Sequence, residues 1–327
     1  MKVIVVGLGS MGKRRIRLLR RLDKNMLIIG IDSKWDRRKD AERVFKIETY
    51  SDIEEAAEKG IDCAFVCTAP LSHGEIIWKC LQGGMHVFTE INLVSDRYDE
   101  NIRLAKEKNR ILFLSSTFLY RDEIKYIEEE VKKSHSLLTY SYHIGQYLPD
   151  WHPWEKYTDF FIGDIRTNGC REIMAIELPW IYKVFGNIVD IHVRKNKKTS
   201  LNIEYNDSYL LSIEHENGVQ GVMLVDVVSR KAVRNLELFG EDLYLTWDGT
   251  ANGVKKYDLT NQKLDSINLY MEIDRQEDYV EFIVENAYMN EIIAFFNEIG
   301  TGKKTEYGFW EDKQILSVID RIEGTIK

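Results

Sequence analysis

The sequence predicts an α/β protein of two domains: a doubly wound parallel sheet over residues 1–116, then an α+β domain with an open, mainly antiparallel sheet over residues 117–327. The chain of 327 residues is about twice the length of a typical domain. In its first part, short apolar runs alternate with helix-length amphipathic segments, an order typical of a parallel sheet covered by helices. From about residue 137, apolar and polar residues alternate with period two between hairpin turns, which indicates antiparallel strands.

Composition and charge exclude several classes of protein. Forty-five Lys and Arg against 53 Asp and Glu give a net charge of −8, and no long basic run could neutralise a nucleic-acid backbone. No stretch approaches the ~20 apolar residues of a membrane span, and no signal-peptide pattern follows Met1, so we expect a cytoplasmic protein. The cysteines lack CxxC pairs and a nearby histidine in a ligand pattern, which predicts no metal site and four buried free thiols: Cys63, Cys67, Cys80 and Cys170.

A glycine-rich turn follows the first apolar strand, residues 3–6, and opens an amphipathic helix. Gly7 permits the tight turn, Gly9 lets the backbone approach a pyrophosphate, and Gly12 allows the helix to pack closely on the strand. The helix N-terminus, which includes Ser10 and Met11, offers unpaired N–H groups to an anion. The order strand, GxGxxG, helix predicts a dinucleotide site.

The second strand supports this prediction and bears on the choice of cofactor. Leu27–Ile31 ends in Asp32, twenty positions after Gly12, where an acidic side chain can bind the adenosine ribose hydroxyls. Asp32 repels a 2′-phosphate and so favours NAD. NADP is the alternative, because nearby side chains could hold that phosphate: Ser33, Lys34, Arg37 and Arg38.

Three further apolar strands, at residues 63–67, 86–88 and 111–114, complete the predicted parallel sheet. Residues 68–73 (TAPLSH) and 89–92 (TEIN) follow the first two of these strands. Both segments lie at carboxyl ends of strands, where open parallel sheets bind ligands.

With these motifs the chain resembles the Gfo/Idh/MocA (glucose-fructose oxidoreductase / inositol dehydrogenase) family over nearly its full length. That family has a GxGxxG turn, a TPxxxH-like turn and an EKP motif in this order, before a mostly antiparallel second domain. The resemblance implies that Glu90 lies near the nicotinamide ribose and that His73 shapes the nicotinamide pocket; the alternative for His73 is a capping or surface histidine. The predicted cofactor set therefore also includes Thr68, Ala69, Pro70, His73, Glu90 and Asn92.

The chain departs from the family pattern at the positions that carry acid–base chemistry. The family's EKP lysine falls on Ile91, and an isoleucine cannot donate a hydrogen bond or move a proton. The second motif's histidine falls on Ile176, and its aspartate falls near Glu172 or Ile173. These losses suggest a divergent branch with different acid–base residues, or none.

The catalytic candidates are Glu177, Glu172 and His152. Glu177 is the first choice, because it lies between apolar residues of a predicted helix that should face the cofactor, where burial would raise its pKa. A capping carboxylate or an ion pair with Arg171 would explain Glu177 equally well.

The second domain carries the predicted substrate contacts. Trp151, Trp154 and Tyr157 lie in a proline-containing loop, and their flat rings suit a sugar face or cover the sheet edge. The loop resembles the YLPDW segment of family members tied to surface-polysaccharide sugar synthesis. Arg171, with Lys156 and Arg166 as alternatives, could bind a carboxylate or a nucleotide-sugar phosphate.

Hairpin turns at Asn217-Gly218 and Gly240 predict the antiparallel sheet. The resemblance implies that its outer face is used for self-association, as a dimer or tetramer. We expect an NAD(P)-dependent oxidoreductase acting on a sugar, sugar acid or nucleotide sugar, in surface-polysaccharide sugar synthesis. The alternative is an NAD(P)-binding sensor or accessory subunit without redox turnover.

Overall fold

The computed structural model describes residues 1–57, 59–151, 155–275 and 282–325. The chain divides into two compact units. The first unit comprises Met1–Ser116 and Met289–Leu316, and the second comprises Thr117–Tyr288 and Ser317–Lys327.

The secondary structure alternates strand and helix in the first part of the chain and is rich in strands in the second. In chain order the strands are β1 (Lys2–Val6), β2 (Leu27–Ile31), β3 (Glu48–Tyr50), β4 (Cys63–Val66), β5 (His86–Thr89), β6 (Leu112–Leu114), β7 (Thr139–Gly145), β8 (Ile188–Asn196), β9 (Ser208–His215), β10 (Gln220–Asp226), β11 (Val233–Phe239), β12 (Tyr244–Trp247), β13 (Lys255–Asp258) and β14 (Lys263–Ser266). The helices are α1 (Ser10–Leu22), α2 (Trp35–Phe45), α3 (Ile53–Ala57), α4 (Pro70–Gln82), α5 (Tyr98–Glu107), α6 (Asp122–Lys133), α7 (Gly169–Phe185), α8 (Glu285–Thr301) and α9 (Phe309–Glu323). Short 3₁₀ turns lie at Thr117–Tyr120, Leu148–Asp150, Tyr157–Asp159, Phe161–Gly163 and Ile165–Thr167.

The first unit contains a parallel sheet with the strand order β3-β2-β1-β4-β5-β6 in the described part of the chain. β1 pairs with β2 on one side and β4 on the other, and all four apolar residues after Lys2 in β1 are buried. The strand order reverses at β1, and at such a point open sheets bind nucleotides beyond the carboxyl ends of the strands. This arrangement confirms the predicted doubly wound domain.

One helix of the first unit comes from late in the chain. Phe88 stacks on both Phe65 and Phe113, with ring centroids 4.8 and 5.1 Å apart. Phe295 of α8 packs edge-on against all three rings at 5.5–5.7 Å. The sequence had placed all of residues 117–327 in the second domain; the structure differs because these aromatic contacts hold α8 on the first sheet.

The second unit contains a sheet with the strand order β14-β13-β12-β11-β7-β10-β9-β8 in the described ranges. β7 and β10 run parallel, and the other neighbouring pairs are antiparallel. Both predicted hairpins are confirmed: β9 and β10 flank Gly218, whose φ is +85°, and β11 pairs with β12 across Gly240. The predicted fold class is therefore confirmed.

Helix α7 packs on one face of this second sheet. Tyr140 and Tyr142 alternate with outward residues along β7, so both rings point to the helix. Tyr140 stacks on Phe185 with centroids 4.5 Å apart, and Tyr142 meets Trp180 edge-on at 5.4 Å. This core holds α7, which carries the catalytic candidates Glu172 and Glu177.

The four cysteines are free and buried, as predicted. Burial raises the pKa of the Cys63 and Cys80 thiols to about 12. Among the described residues, no helix is both long and apolar enough to cross a membrane. In the same residues, no three His, Cys, Asp or Glu side chains are grouped to hold a metal ion.

Candidate functional site

The glycine-rich turn has the geometry of a pyrophosphate cradle. Gly7 adopts φ +93°, and a Cβ there would lie 2.6 Å from the Cys67 carbonyl oxygen. A Cβ on Gly12 would lie 1.8 Å from the Gly7 carbonyl oxygen, so only glycine allows α1 to pack on this turn. At Gly9 the nearest atom to a Cβ is an Arg37 nitrogen at 3.6 Å, which leaves space above the backbone. No side chain caps α1 at Gly9, so an anion can accept from the free N–H groups at the start of the helix.

Asp32 lies at the end of β2, beside this turn. Its Oδ2 accepts the Leu8 backbone N–H at 2.8 Å, and its Oδ1 accepts the Lys34 N–H at 2.9 Å. The Arg37 guanidinium lies 3.7 Å from the same carboxylate, whereas Arg38 donates to the Asp32 carbonyl oxygen at 2.6 Å. The carboxylate is thus fixed at the rim of the cradle, where a ribose would approach it.

A groove of about 450 Å³ continues from Asp32 along the carboxyl edge of the sheet. Its lining brings together five of the predicted cofactor residues: Gly7, Asp32, Ser33, Thr68 and Ala69. A groove of this size, beside a free helix N-terminus, fits the adenosine half of a dinucleotide.

His73 is buried in the first turn of α4, so the alternative of a surface histidine is wrong. Its Nδ1 lies 2.6 Å from Asn92 Oδ1, and its Nε2 lies 2.9 Å from the Thr68 carbonyl oxygen. Burial lowers the pKa of His73, which favours the neutral ring. The imidazole links the two segments that follow β4 and β5.

Glu90 follows β5 and is held by a buried arginine. Arg15 Nε donates to Glu90 Oε1 at 2.6 Å and Nη2 to Oε2 at 3.1 Å. The same Nη2 donates to Glu291 Oε2 at 2.9 Å, and Ser115 donates to Glu291 Oε1 at 2.9 Å. Burial raises the pKa of Glu291, although the Arg15 charge opposes the rise. The Arg15 guanidinium also lies over the Phe88 ring, 4.5 Å from its centroid.

Sequence reasoning missed both Arg15 and Glu291. The available signal was the position of Arg15 on the apolar face of α1, next to the buried Ile16 and four residues before the buried Leu19. A buried guanidinium requires carboxylate partners, but the sequence did not reveal which carboxylates these are.

In the second unit, Glu177 is fully buried and its carboxylate is surrounded by donors. Tyr142 Oη donates to Oε2 at 2.7 Å, and Trp180 Nε1 donates to the same oxygen at 2.6 Å. Arg234 donates to Oε1 from Nε at 3.0 Å and from Nη2 at 2.7 Å. The ion pair considered for Glu177 therefore exists, but its partner is Arg234 and not Arg171. A carboxylate with four hydrogen bonds is poorly placed to take a proton from a substrate, and its role as base stays a prediction.

Glu172 lies five residues earlier in α7 and has the opposite environment. Its Oε2 is buried and has no hydrogen-bond partner among the described residues. Burial raises the pKa of Glu172 to about 7. Ile176 follows one helical turn later, on the same face of α7. A carboxyl group with this pKa can both accept and return a proton near neutral pH.

The predicted substrate residues have local partners. Arg171 forms ion pairs with Asp320 at 2.7 Å and with Glu323. Trp151 donates from Nε1 to the Gln146 carbonyl oxygen at 3.0 Å, and Tyr157 Oη accepts the Asn202 N–H at 3.0 Å. These contacts explain the side chains without a ligand, and their substrate roles stay predictions. His152 and Trp154 lie outside the described residues.

The sheet order, the glycine cradle and the acidic residue after β2 define a dinucleotide-binding protein. Residues 1–116 match the family model Gfo/Idh/MocA, described as an oxidoreductase family with an NAD-binding Rossmann fold. The first 116 residues are thus similar to this family, as the motifs predicted, and the cofactor is a nicotinamide adenine dinucleotide.

Relatives and solved structures extend the likeness to the whole chain. Myo-inositol 2-dehydrogenase of Thermotoga maritima is 23% identical over 320 residues, which cover 93% of this chain and 89% of that protein. The structure of UDP-N-acetylglucosamine 3-dehydrogenase GnnA from Acidithiobacillus ferrooxidans superposes with a TM-score of 0.76 at 14% identity, covering 100% of this chain and 97% of that one. Levoglucosan dehydrogenase in complex with NADH gives a TM-score of 0.82 at 12% identity, covering 99% and 96%. At these identities the structures support the fold.

Proposed function

We propose that this protein is an NAD(P)-dependent oxidoreductase that oxidises a hydroxyl group of a sugar, sugar acid or nucleotide sugar. The family and the cofactor support the redox class. The names of the similar proteins support the substrate class, since they include dehydrogenases of myo-inositol, levoglucosan and UDP-N-acetylglucosamine. A place in surface-polysaccharide sugar synthesis rests on the YLPDW segment alone.

The first unit supplies the binding side of this mechanism. The N–H groups at the start of α1 would hold the pyrophosphate, and Asp32 would bind the adenosine ribose. Glu90, which Arg15 fixes in place, would orient the nicotinamide half. When bound, the cofactor supplies the hydride acceptor at nicotinamide C4.

We assign the proton acceptor to Glu172. The observation that carries this assignment is its buried oxygen without a described partner, together with a pKa raised to about 7. The aspartate of the family's second motif falls near Glu172 or Ile173, and Glu172 is the one of these two that can carry a proton. Ile91 and Ile176 stand where that family has proton-moving side chains, and Glu177 is already saturated with donors.

The test compares two isosteric variants, Glu172→Gln and Glu177→Gln, with the unchanged protein. Each is titrated with NADH by fluorescence and assayed for NAD reduction with a panel of sugars and nucleotide sugars. We expect Glu172→Gln to bind NADH normally and to lower turnover by about 10²–10⁴-fold, the usual contribution of a general base. Turnover that survives Glu172→Gln but not Glu177→Gln would return the role to Glu177.

One observation favours a second function: Ile91 and Ile176 stand at the two positions where the family has its acid–base lysine and histidine. In that case the protein binds NAD(P) as a sensor or accessory subunit without turnover. It would bind NADH and reduce NAD with no sugar in the panel.

We also propose that the chain forms a homo-oligomer through the outer face of the second sheet. This face carries apolar side chains that are 40–46% exposed on three neighbouring or near strands: Leu210, Val222 and Phe239. Light scattering on the purified protein tests this, and a monomer at micromolar concentration would contradict it. The cytoplasmic location stays a prediction.

A further inference from the structure

Arg234 on β11, which is partly exposed, and the buried Arg121 both stack on Phe118 in the second unit. The Arg234 guanidinium carbon lies 4.7 Å from the Phe118 ring centroid and 5.7 Å from that of Phe282. Its register partner on β7 is Ile144, whose side chain points to the α7 side of the sheet. Arg234 therefore belongs to the inner face of this sheet.

Two of the three guanidinium nitrogens of Arg234 pair with Glu177. Nε and Nη2 both donate to Glu177 Oε1, at 3.0 and 2.7 Å. The guanidinium also forms a side-chain hydrogen bond with Tyr142, and among the described residues no carbonyl or carboxylate oxygen accepts from Nη1. The Arg234 side chain remains 15% exposed, whereas Glu177 is 0% exposed, so the accessible part of this ion pair lies on the arginine side.

Arg121, the other arginine on Phe118, provides an internal comparison. Its Nε and Nη2 donate to the Glu123 carboxylate, Nη2 also donates to the Gly249 carbonyl oxygen, and Nη1 donates to the Phe282 carbonyl oxygen. Every guanidinium nitrogen of Arg121 is thus satisfied inside the fold, as expected for a structural arginine. Arg234 differs at Nη1.

The surroundings of Glu177 hold Arg234 in one position. Tyr142 and Trp180 donate to Oε2 of Glu177, the oxygen that Arg234 does not contact, and their rings are packed in the core. A buried ion pair adds little net stability compared with apolar side chains of similar size, so stability alone is a weak reason for this cluster. Its clear physical effect is a fixed, partly exposed cation beside aromatic rings.

We infer that Arg234 binds an anionic oxygen group, a carboxylate or a phosphate, on the substrate. This inference rests on the proposed function, since it names the class of sugar that the enzyme takes. A guanidinium pre-organised by a carboxylate behind it loses little side-chain entropy when it binds such a group. The partly desolvated position strengthens a charge-assisted hydrogen bond to the ligand.

The experiment uses three hexoses that differ only at C6: D-glucose, D-glucuronate and D-glucose 6-phosphate. Each is titrated calorimetrically into the NADH-loaded protein, and each is assayed for NAD reduction. We expect glucuronate or glucose 6-phosphate to bind about 10-fold or more tightly than glucose, as one charge-assisted hydrogen bond provides. The anion that binds more tightly identifies the carboxylate or the phosphate as the recognised group.

Variants locate the effect at Arg234. Arg234→Gln removes the positive charge. Arg234→Lys keeps a cation beside Glu177 but lacks the planar guanidinium, which can donate two parallel hydrogen bonds. We expect both variants to reduce the preference for the anionic hexose to below about 3-fold, and Arg194→Gln, on the exposed side of β8, to leave it unchanged. The Lys variant decides the question if the Gln variant does not fold.

The outcomes separate this inference from the proposed function. Equal binding of all three hexoses by the unchanged protein, or a full preference in Arg234→Lys, overturns the inference even if sugars are oxidised. An Arg234-dependent preference without NAD reduction supports the inference and contradicts the redox function.

Discussion

The environment of Glu172 predicts a specific pH dependence of stability. The ordinary pKa of a glutamate is 4.5, and burial raises that of Glu172 to about 7. Below pH 4.5 the side chain is neutral in both folded and unfolded chains. As the pH rises to about 7, the unfolded chain loses this proton first, so the folded state loses stability through this window and no further above it. At 1.36 kcal/mol for each pKa unit, the loss reaches about 3 kcal/mol.

Glu172→Gln abolishes this loss, because glutamine is isosteric with the neutral acid and does not ionise. We expect the variant to match the original protein near pH 4.5 and to exceed its free energy of unfolding by about 2–3 kcal/mol at pH 8. Urea unfolding of both proteins across pH 4.5–8 measures the difference, in which other ionising groups cancel. Glu177→Gln is the control: it weakens the partner of Arg234 and should destabilise at every pH in this range. Parallel stability curves for the original protein and Glu172→Gln would refute the reasoning.

Three further outcomes are expected. Gly9→Ala should keep the melting temperature within about 2 °C but weaken NADH binding at least ~10-fold. Gly12→Ala should lower the melting temperature, because its Cβ would overlap the Gly7 carbonyl. If calorimetry gave both variants the same melting temperature and fluorescence titration gave them the same NADH affinity, this reasoning would be contradicted. Asp32→Ala should shift the ratio of NADPH to NADH affinity towards NADPH by about 10-fold or more, since it removes the carboxylate that repels a 2′-phosphate and leaves Arg37 in place. Sugar oxidation should rise with pH through about 7, where Glu172 becomes a base, and a flat pH profile of kcat/KM would argue against it.

The elements that are fixed by local chemistry could be predicted from the sequence. The glycine turn and Asp32 lie on one short strand–helix–strand unit, so their spacing along the chain translates directly into space. The hairpin at Gly218 was equally local, because its turn residue and the alternating strands are contiguous.

The partners of buried charges could not be predicted in this way. Glu177 pairs with Arg234, 57 positions away, whereas the nearby Arg171 pairs with carboxylates of α9. Arg15 and Glu291 are 276 positions apart. The spacing of apolar and polar residues along the sequence does not predict such pairs, because sheet register and helix packing bring the partners together only in the folded domain.

The return of α8 to the first sheet has a consequence for biosynthesis. The ribosome synthesises Phe65, Phe88 and Phe113 about 180–230 residues before Phe295, whose ring covers that side of the aromatic cluster. The apolar face of the first sheet that α8 covers is therefore exposed while the rest of the chain is translated. Chaperones are useful in this period, because exposed apolar surface promotes aggregation. Residues 1–116 expressed alone lack α8, so this isolated domain should be prone to aggregate.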